Sequence, residues 1–226
     1  QLEQEIGERL RMQDKVLHMA THSSMTGLPN RVSLTQRLQQ VLHQAQSSSN
    51  HRLAIMLLKY NKLELVKNSL GHHAVDQLIV AINRRLETLT RPGFLLTNFG
   101  EDIFSILIES FHTKEEVVQF GEKIQEEISY PFHINNHLIY GQIDIGIALN
   151  SQQYRQATHI LRDANTALSQ ATAKGAGKIQ IFNSEMHQRT LSFFEVQNDL
   201  HRALRNQELI LTYHPIISLA DNYLNG

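Results

Sequence analysis

The feature that most restricts the fold is a continuous apolar run at residues 53–60, which reads LAIMLLKY. A strand that is apolar on both faces needs cover on both faces of its sheet. Amphipathic helical periods precede and follow this run, at residues 32–46 and 63–89, and the second is interrupted near Leu70 and Gly71. The sequence therefore predicts a sheet that lies between layers of helices.

The rest of the chain alternates between strand and helix patterns. Residues 94–97 and 103–108 flank a tight turn that contains Gly100, which predicts a hairpin. Further helices are predicted at 114–129, 154–173 and 185–205, and further strands at 131–134, 138–149, 178–182 and 209–217. A hairpin combined with crossover connections predicts a mixed α/β sheet that is covered by helices.

Composition excludes several classes of function. The 226 residues include 21 basic and 22 acidic side chains, so no excess of positive charge favours a nucleic acid polymer or an anionic membrane. There is no cysteine, which excludes disulfides and thiolate metal sites. Because no apolar run approaches the ~20 residues of a membrane span and no signal peptide is visible, we expect a cytoplasmic protein.

Residues 1–22 are predicted to form a helix with an apolar seam. Apolar or small residues follow a 4–3 spacing if polar Gln13 fills one seam position: Ile6, Leu10, Leu17 and Ala20. One interpretation is an amphipathic helix that lies on its own domain. The other is a short coiled coil that relays a signal from an upstream sensor and forms a homodimer.

Five ordered motifs resemble those of GGDEF domains, which condense two GTP molecules into cyclic di-GMP. They are MTGLPNR at 25–31, SLGHHAVD at 69–76, GEDIF at 100–104, DIGIA at 144–148 and DANTAL at 163–168. GEDIF falls where the GGDEF turn itself belongs. The resemblance covers about residues 20–183. It implies a nucleotidyl-cyclase-like α/β (α+β) fold with a central mixed, mostly antiparallel five-stranded sheet flanked by helices.

The tail, from Asp199 to Ile216, is similar to the entry of an EAL domain, a phosphodiesterase barrel. The two resemblances together imply three segments. They are an N-terminal signalling or coiled-coil-like helix at 1–22, a degenerate GGDEF domain at 23–183, and a linker helix with the first strand of a truncated EAL domain at 184–226.

The resemblance places a cation where the family binds its metal ions. Two metal ions must hold the triphosphates during phosphoryl transfer, and carboxylates must hold the metals. The family aspartate at the end of the first strand falls on Lys59, and the next aspartate falls on Asn61. A lysine repels a metal ion instead of binding it. This implies that no catalytic metal site is intact, and Mg²⁺ is expected only if cyclase activity remains.

The GEDIF turn at 100–104 can be aligned with the family's GGDEF turn in two ways. With Phe104 on the family phenylalanine, the metal-binding glutamate becomes Ile103 and Asp102 takes the preceding acidic position. Glu101 then replaces the second glycine after Gly100 and adds bulk and negative charge beside the phosphates. A slip by one residue would keep Asp102 as a ligand. Neither alignment changes the lysine at the first metal position.

Of the two residues with which the family binds guanine, one is replaced here and one is present. The family asparagine falls on Lys67, with Asn68 beside it, and the family aspartate remains as Asp76. A carboxylate can accept hydrogen bonds from guanine N1–H and N2–H together, so Asp76 could bind the edge of a guanine base. The alternative is that Asp76 only caps or solvates a helix turn. The resemblance thus implies these nucleotide-binding candidates: Lys59, Asn61, Lys67, Asn68 and Asp76.

The inhibitory product site of the family, an RxxD pair, is also incomplete. Arg91 matches the arginine, but Phe94 replaces the aspartate. Arg91 alone can still contact a phosphate, or it is an ordinary surface arginine.

Three functions follow as hypotheses. The first is a regulatory GGDEF module that binds GTP or cyclic di-GMP and controls an adjacent EAL phosphodiesterase. The second is a residual diguanylate cyclase. The third is a nucleotide-free dimerisation scaffold.

Overall fold

The structure is a computed structural model that describes Arg9, Met12 and residues 16–47, 52–150 and 154–212. The helices are α1 (Arg31–Ser47), α2 (Leu63–Leu70), α3 (His72–Leu89), α4 (Lys114–Ser129), α5 (Ala157–Ala173) and α6 (Ser184–Arg205). The strands are β1 (Ala54–Tyr60), β2 (Phe94–Asn98), β3 (Ile103–Ile108), β4 (Phe132–Ile134), β5 (His137–Ile139), β6 (Ile143–Leu149) and β7 (Ile179–Ile181). None of the helices within these ranges combines the length and hydropathy that a membrane crossing needs.

The predicted architecture is confirmed. Five strands form one sheet in the order β2-β3-β1-β6-β7, with β1 at its centre. Strand β1 pairs antiparallel with β3 and with β6, β2 pairs antiparallel with β3, and β6 pairs parallel with β7. Strands β4 and β5 form a separate two-stranded sheet. The main sheet is therefore mixed and mostly antiparallel.

Strand β1 is apolar on both faces because both faces are covered. Met56 and Leu58 join a buried cluster to which α3 and α4 contribute. Ile55 and Leu57, which point the other way, join a second cluster with α1 and α5. Alternate residues of a strand point to opposite faces, so one continuous apolar run serves both layers of helices.

The loop before α1 ties that helix to the helical residues 16–21. Asn30 donates from Nδ2 to the carbonyl of Ala20 at 2.8 Å and accepts at Oδ1 from the N–H of Val32 at 2.9 Å. Ser33 donates from Oγ to the carbonyl of Thr21 at 2.6 Å. One asparagine thus caps α1 and holds the preceding segment, which is a structural use of the MTGLPNR motif.

The prediction of one strand over residues 138–149 was wrong, because residues 140–142 form no strand and separate β5 of the small sheet from β6 of the main sheet. A Cβ at Gly141 would lie 1.9 Å from the hydroxyl oxygen of Tyr60, so only a bare backbone passes that ring. Before this point, Asn135 (φ 45°) and Asn136 (φ 66°) turn β5 back on β4. Two successive positive φ angles are typical of a type I′ hairpin turn.

Three smaller predictions are wrong or fall, in part, on residues outside the described ranges. Helix α5 begins at Ala157 and not at Tyr154. Residues 209–212 of the predicted last strand form no strand, and residues 213–217 lie outside the described residues. The seam positions Ile6, Leu10 and Gln13 also lie outside them, whereas Leu17 is 64% exposed within a helical segment.

The chain divides into two compact units, Gln1–His187 and Gln188–Gly226. The first contains both sheets and helices α1 to α5. In the second, Val196, Leu200 and Leu204 recur every four residues and are exposed. That spacing places them on one side of a helix.

Candidate functional site

Three chain segments meet at the end of β1. Lys59 is paired in register with Ile103 of β3 on one side and with Asp144 of β6 on the other. Because β1 runs antiparallel to both neighbours, its last residues lie beside their first residues. The fold therefore brings the predicted first metal position, the GEDIF turn and the start of the DIGIA strand together.

Lys59 forms an ion pair with the turn. Its Nζ atom lies 3.5 Å from Oδ2 of Asp102, and the two side chains are 39% and 38% exposed. An exposed pair of this kind contributes only ~0–1 kcal/mol to stability. The position of this ion pair matters, because it lies where the resemblance predicts the first metal ligand, and an ammonium group repels a divalent cation.

Asp144 adds a second carboxylate at the same end of the sheet, and the sequence analysis did not single it out. Its side chain is fully buried, and Oδ1 accepts a hydrogen bond from the backbone N–H of Lys178 at 3.2 Å. Oδ2 is buried and has no hydrogen-bond partner among the described residues. An aspartate inside an apolar strand motif was the available signal, since a buried carboxylate is costly without partners.

The turn itself divides its side chains between core and solvent. Phe104 is fully buried and pairs in register with Leu58, while half-buried Ile103 packs on the opposite core cluster. Gly100 and Glu101 are exposed. The burial of Phe104 supports the alignment with this residue on the family phenylalanine, and that alignment stays a prediction.

A cavity of about 430 Å³ opens beside the turn; we name it the first cavity. Of the predicted residues, Lys67, Asp76, Glu101 and Asp102 line it. Its other lining residues are Met25, Leu63, Glu64, His72, Val75 and Ile79. Helices α2 and α3 thus form its walls.

The predicted candidates Lys59, Asn61 and Asn68 do not line the first cavity. The backbone N–H of Asn61 donates to the carbonyl of Gln142 at 2.9 Å, and its side-chain nitrogen is buried without a partner among the described residues. Asn68 is exposed on α2. Their roles in nucleotide binding stay predictions, and the geometry gives more support to Lys67 and Asp76.

Four of the ten residues that line the first cavity are acids. Glu64, Asp76, Glu101 and Asp102 contribute carboxylates, against one ammonium group from Lys67. Glu64 was missed because an exposed glutamate in a helical pattern carries no signal of its own. Carboxylates repel phosphate groups, and no group of three or more potential metal ligands occurs in the described ranges to offset that repulsion.

Asp76 lies one turn into α3, where its side chain is exposed. It makes no hydrogen bond or ion pair in the described part of the chain, so it does not cap the helix. Its carboxylate is therefore available to a ligand.

Arg91 already forms an ion pair with Glu116. Its Nη2 atom lies 2.6 Å from Oε1 of Glu116, and its guanidinium lies 4.9 Å from the ring centre of Phe94. A hydrogen bond from the backbone N–H of His112, together with Arg91, holds the pKa of Glu116 below its ordinary value. A phosphate would have to compete with Glu116, so a product site at Arg91 stays a prediction without support from this geometry.

The site belongs to a mixed five-stranded sheet with the order β2-β3-β1-β6-β7 and with helices on both faces. Residues 20–178 match the family described as "Diguanylate cyclase, GGDEF domain". The chain belongs to the GGDEF family.

Its relatives include signalling proteins of Pseudomonas aeruginosa. The chain is 28% identical over 208 residues to the bifunctional diguanylate cyclase/cyclic di-GMP phosphodiesterase MucR, covering 92% of this chain and 30% of MucR. It is 27% identical over 203 residues to the cyclic di-GMP phosphodiesterase NbdA, covering 90% of this chain and 26% of NbdA. The chain thus spans less than a third of the length of these two relatives.

Solved structures share the fold. A truncated form of TpbB (YfiN) from Pseudomonas aeruginosa, which comprises only the GGDEF domain, superposes with a TM-score of 0.71. The match is 23% identical in sequence and covers 75% of this chain and 99% of that one.

A metal should bind once Lys59 is replaced by a carboxylate. Lys59→Asp would place a third carboxylate between Asp102 and Asp144, and oxygen ligands suit Mn²⁺ and Mg²⁺. We expect Mn²⁺ at tenfold its dissociation constant to stabilise the variant by about 1.4 kcal/mol, measured as a rise in thermal midpoint. The wild type should show no such rise.

Lys62→Asp is the matched control, because Lys62 is an exposed neighbour whose positive φ aspartate tolerates. It changes the net charge equally without adding a ligand between the strands. Equal stabilisation of this control or of the wild type by Mn²⁺ would contradict the role assigned to Lys59.

Proposed function

We propose that this GGDEF domain is a regulatory module of a cyclic-di-GMP signalling protein, which binds a guanine nucleotide and does not cyclise it. The observation that carries the proposal is the ion pair between Lys59 and Asp102 at the end of β1. This ion pair puts a positive charge at the position that we predict for the first metal ligand. The available carboxylate of Asp76 in the first cavity supports retained binding.

The loss of cyclisation follows from the chemistry of phosphoryl transfer. The reaction attacks an α-phosphate with a ribose hydroxyl, and two metal ions offset the charge that develops. Lys59 and Ile103 supply no ligand oxygen to a metal, and Glu101 adds a negative charge to the turn. A lysine offers a single charge with hydrogen-bond donors and cannot activate a hydroxyl as a metal does.

Retained guanine binding follows from Asp76. A carboxylate accepts from the N1–H and the N2–H₂ groups of guanine at once, whereas adenine presents no such pair of donors. Lys67 and the apolar side chains of Leu63 and Val75 line the same cavity. The cavity therefore offers a guanine both edge recognition and apolar contact.

We further propose that the module controls an EAL phosphodiesterase domain and receives a signal through residues 1–22. The proposed domain is 23–183, and 184–226 is a linker with the start of the EAL domain. The relative NbdA, named a cyclic di-GMP phosphodiesterase, supports this arrangement. Exposed apolar residues of α6, among them Val196 and Leu200, support packing against a further domain.

A residual diguanylate cyclase is the second candidate, and the bifunctional relative MucR favours it. The two candidates differ in their product. Incubation of the chain with GTP and Mg²⁺, followed by chromatography, should return GTP without cyclic di-GMP. Accumulation of cyclic di-GMP would favour the second candidate over the first.

Removing the carboxylate of Asp76 should weaken GTP binding. Hydrogen bonds to a charged group contribute about 1.5–3 kcal/mol, so we expect Asp76→Ala to raise the dissociation constant for GTP by about 10- to 100-fold. Isothermal titration calorimetry measures this. Asp199→Ala removes an exposed carboxylate of α6 and should bind GTP as the wild type does. Unchanged affinity in Asp76→Ala would remove the basis for guanine recognition.

A further inference from the structure

A second cavity adjoins the first. This open groove of about 870 Å³ lies between α3 and the β4–β5 hairpin. The two cavities share Met25 and Asp76 in their linings. A ligand held by Asp76 can therefore extend into either one.

One face of α3 forms the wall of the second cavity. His73, Asp76, Val80 and Arg84 all line it, and they are spaced by three or four residues along the helix. Residues with this spacing lie on the same face. Asp76 and Arg84 are eight residues apart, which is a rise of about 12 Å along the axis. An extended nucleotide is long enough to reach both.

The two cavities differ in net formal charge: with histidine neutral, the first has four carboxylates against one lysine, and the second has one carboxylate against one arginine. Apart from the shared Asp76, the first cavity carries three carboxylates and the second carries none. The cationic or protonatable side chains are Lys67 and His72 in the first cavity, and Arg84, His73 and His133 in the second. In the part of the chain that the structure describes, Arg84 is exposed and makes no hydrogen bond or ion pair. Its guanidinium is therefore free to bind an anion.

We propose that a guanine nucleotide held at its base by Asp76 directs its phosphates into the second cavity, towards Arg84, and away from the GEDIF turn. The inference rests on the proposed guanine binding and adds the orientation of the ligand. Glu64 and Glu101 repel phosphates from the first cavity, whereas a guanidinium binds phosphate oxygens in bidentate fashion.

This orientation removes the need for a metal ion. Arg84 supplies the positive charge that Mg²⁺ supplies in a metal-dependent nucleotide site. The orientation also separates the α-phosphate from the GEDIF turn. A ligand bound in this way is a signal and not a substrate. His133, on the hairpin, lies across the groove from α3 and offers a further hydrogen bond.

The test is a calorimetric series with guanosine, GMP, GDP and GTP in the absence of Mg²⁺. The wild type should bind GTP more tightly than guanosine. Arg84→Gln should weaken GTP binding about tenfold and leave guanosine binding unchanged, because only the phosphates reach Arg84. Arg205→Gln, which removes an exposed arginine of α6, should leave GTP binding unchanged. Unchanged guanosine binding also shows that the variants are folded.

Two results overturn the orientation while guanine binding stands. In one, Arg84→Gln binds GTP as the wild type does while Glu101→Gln binds it more tightly, which places the phosphates at the turn. In the other, the wild type binds guanosine and GTP equally. If the wild type binds neither guanosine nor GTP, the proposed function fails and the orientation fails with it.

Discussion

Gly146→Ala should lower the free energy of unfolding by about 3 kcal/mol, at the upper end of the usual cost of overpacking. A Cβ at this position would lie 2.2 Å from the backbone nitrogen of Leu168 and 2.5 Å from the carbonyl oxygen of Ala164. Both atoms belong to the backbone of α5, so no side-chain rotation can relieve the contact. The helix must move off the sheet and open the core beneath it.

Urea denaturation followed by circular dichroism measures this effect. Gly100→Ala is the matched control, because nothing lies within 4 Å of a Cβ there and its φ is not positive. We expect the control to change the free energy of unfolding by less than about 0.5 kcal/mol. Similar losses in the two variants would contradict the close packing of α5 on β6.

Arg85→Met should lower the free energy of unfolding by about 2 kcal/mol. Arg85 donates from Nη1 to the carbonyls of Glu127 and Tyr130, at 3.0 and 2.6 Å, and from Nη2 to that of Pro131 at 3.1 Å. Its guanidinium also lies 3.7 Å from the ring centre of Phe132. One side chain thus satisfies the carbonyls at and after the end of α4, which have no helical partner.

The adjacent arginine provides the control. Arg84→Met removes the same charge from the same helix, but Arg84 is exposed and has no partner within the described ranges. Its effect on the free energy of unfolding should stay within about 0.5 kcal/mol. If both variants lost the same stability, the hydrogen bonds of Arg85 to the end of α4 would not be the cause.

The environment of Tyr60 shows why Arg85 matters beyond α4. Burial raises the pKa of Tyr60 to about 12, and its hydroxyl has no hydrogen-bond partner among the described residues. The ring packs edge-on against Phe132, the residue on which Arg85 stacks. Arg85, Phe132 and Tyr60 therefore connect α3, β4 and β1 in one packed group.

The sheet was predictable because its central strand leaves a distinct local signal. The continuous apolar run of β1 and the hairpin at Gly100 are patterns within a few residues, and they fixed the layers correctly. The break between β5 and β6 was not predictable in this way. It depends on the approach of Gly141 to the ring of Tyr60, a contact between segments far apart in the sequence.

The candidate site was predictable only for residues that occupy named motif positions. Lys59, Asp76 and Asp102 were identified in this way, and the fold places them around the end of β1 and the first cavity. Glu64 and Arg84 were missed, because a charged residue on a helix surface looks the same whether it faces solvent or a groove. Only the packing of α2, α3 and the hairpin shows which groove each one lines.

We infer that the domain binds guanine nucleotide without a metal ion. The most direct measurement is calorimetric titration of the chain with GTP, with and without Mg²⁺, and with ATP for comparison. We expect GTP to bind with the same affinity in both conditions and ATP to give no comparable heat. The absence of heat at millimolar GTP would contradict the claim, and so would binding that requires Mg²⁺.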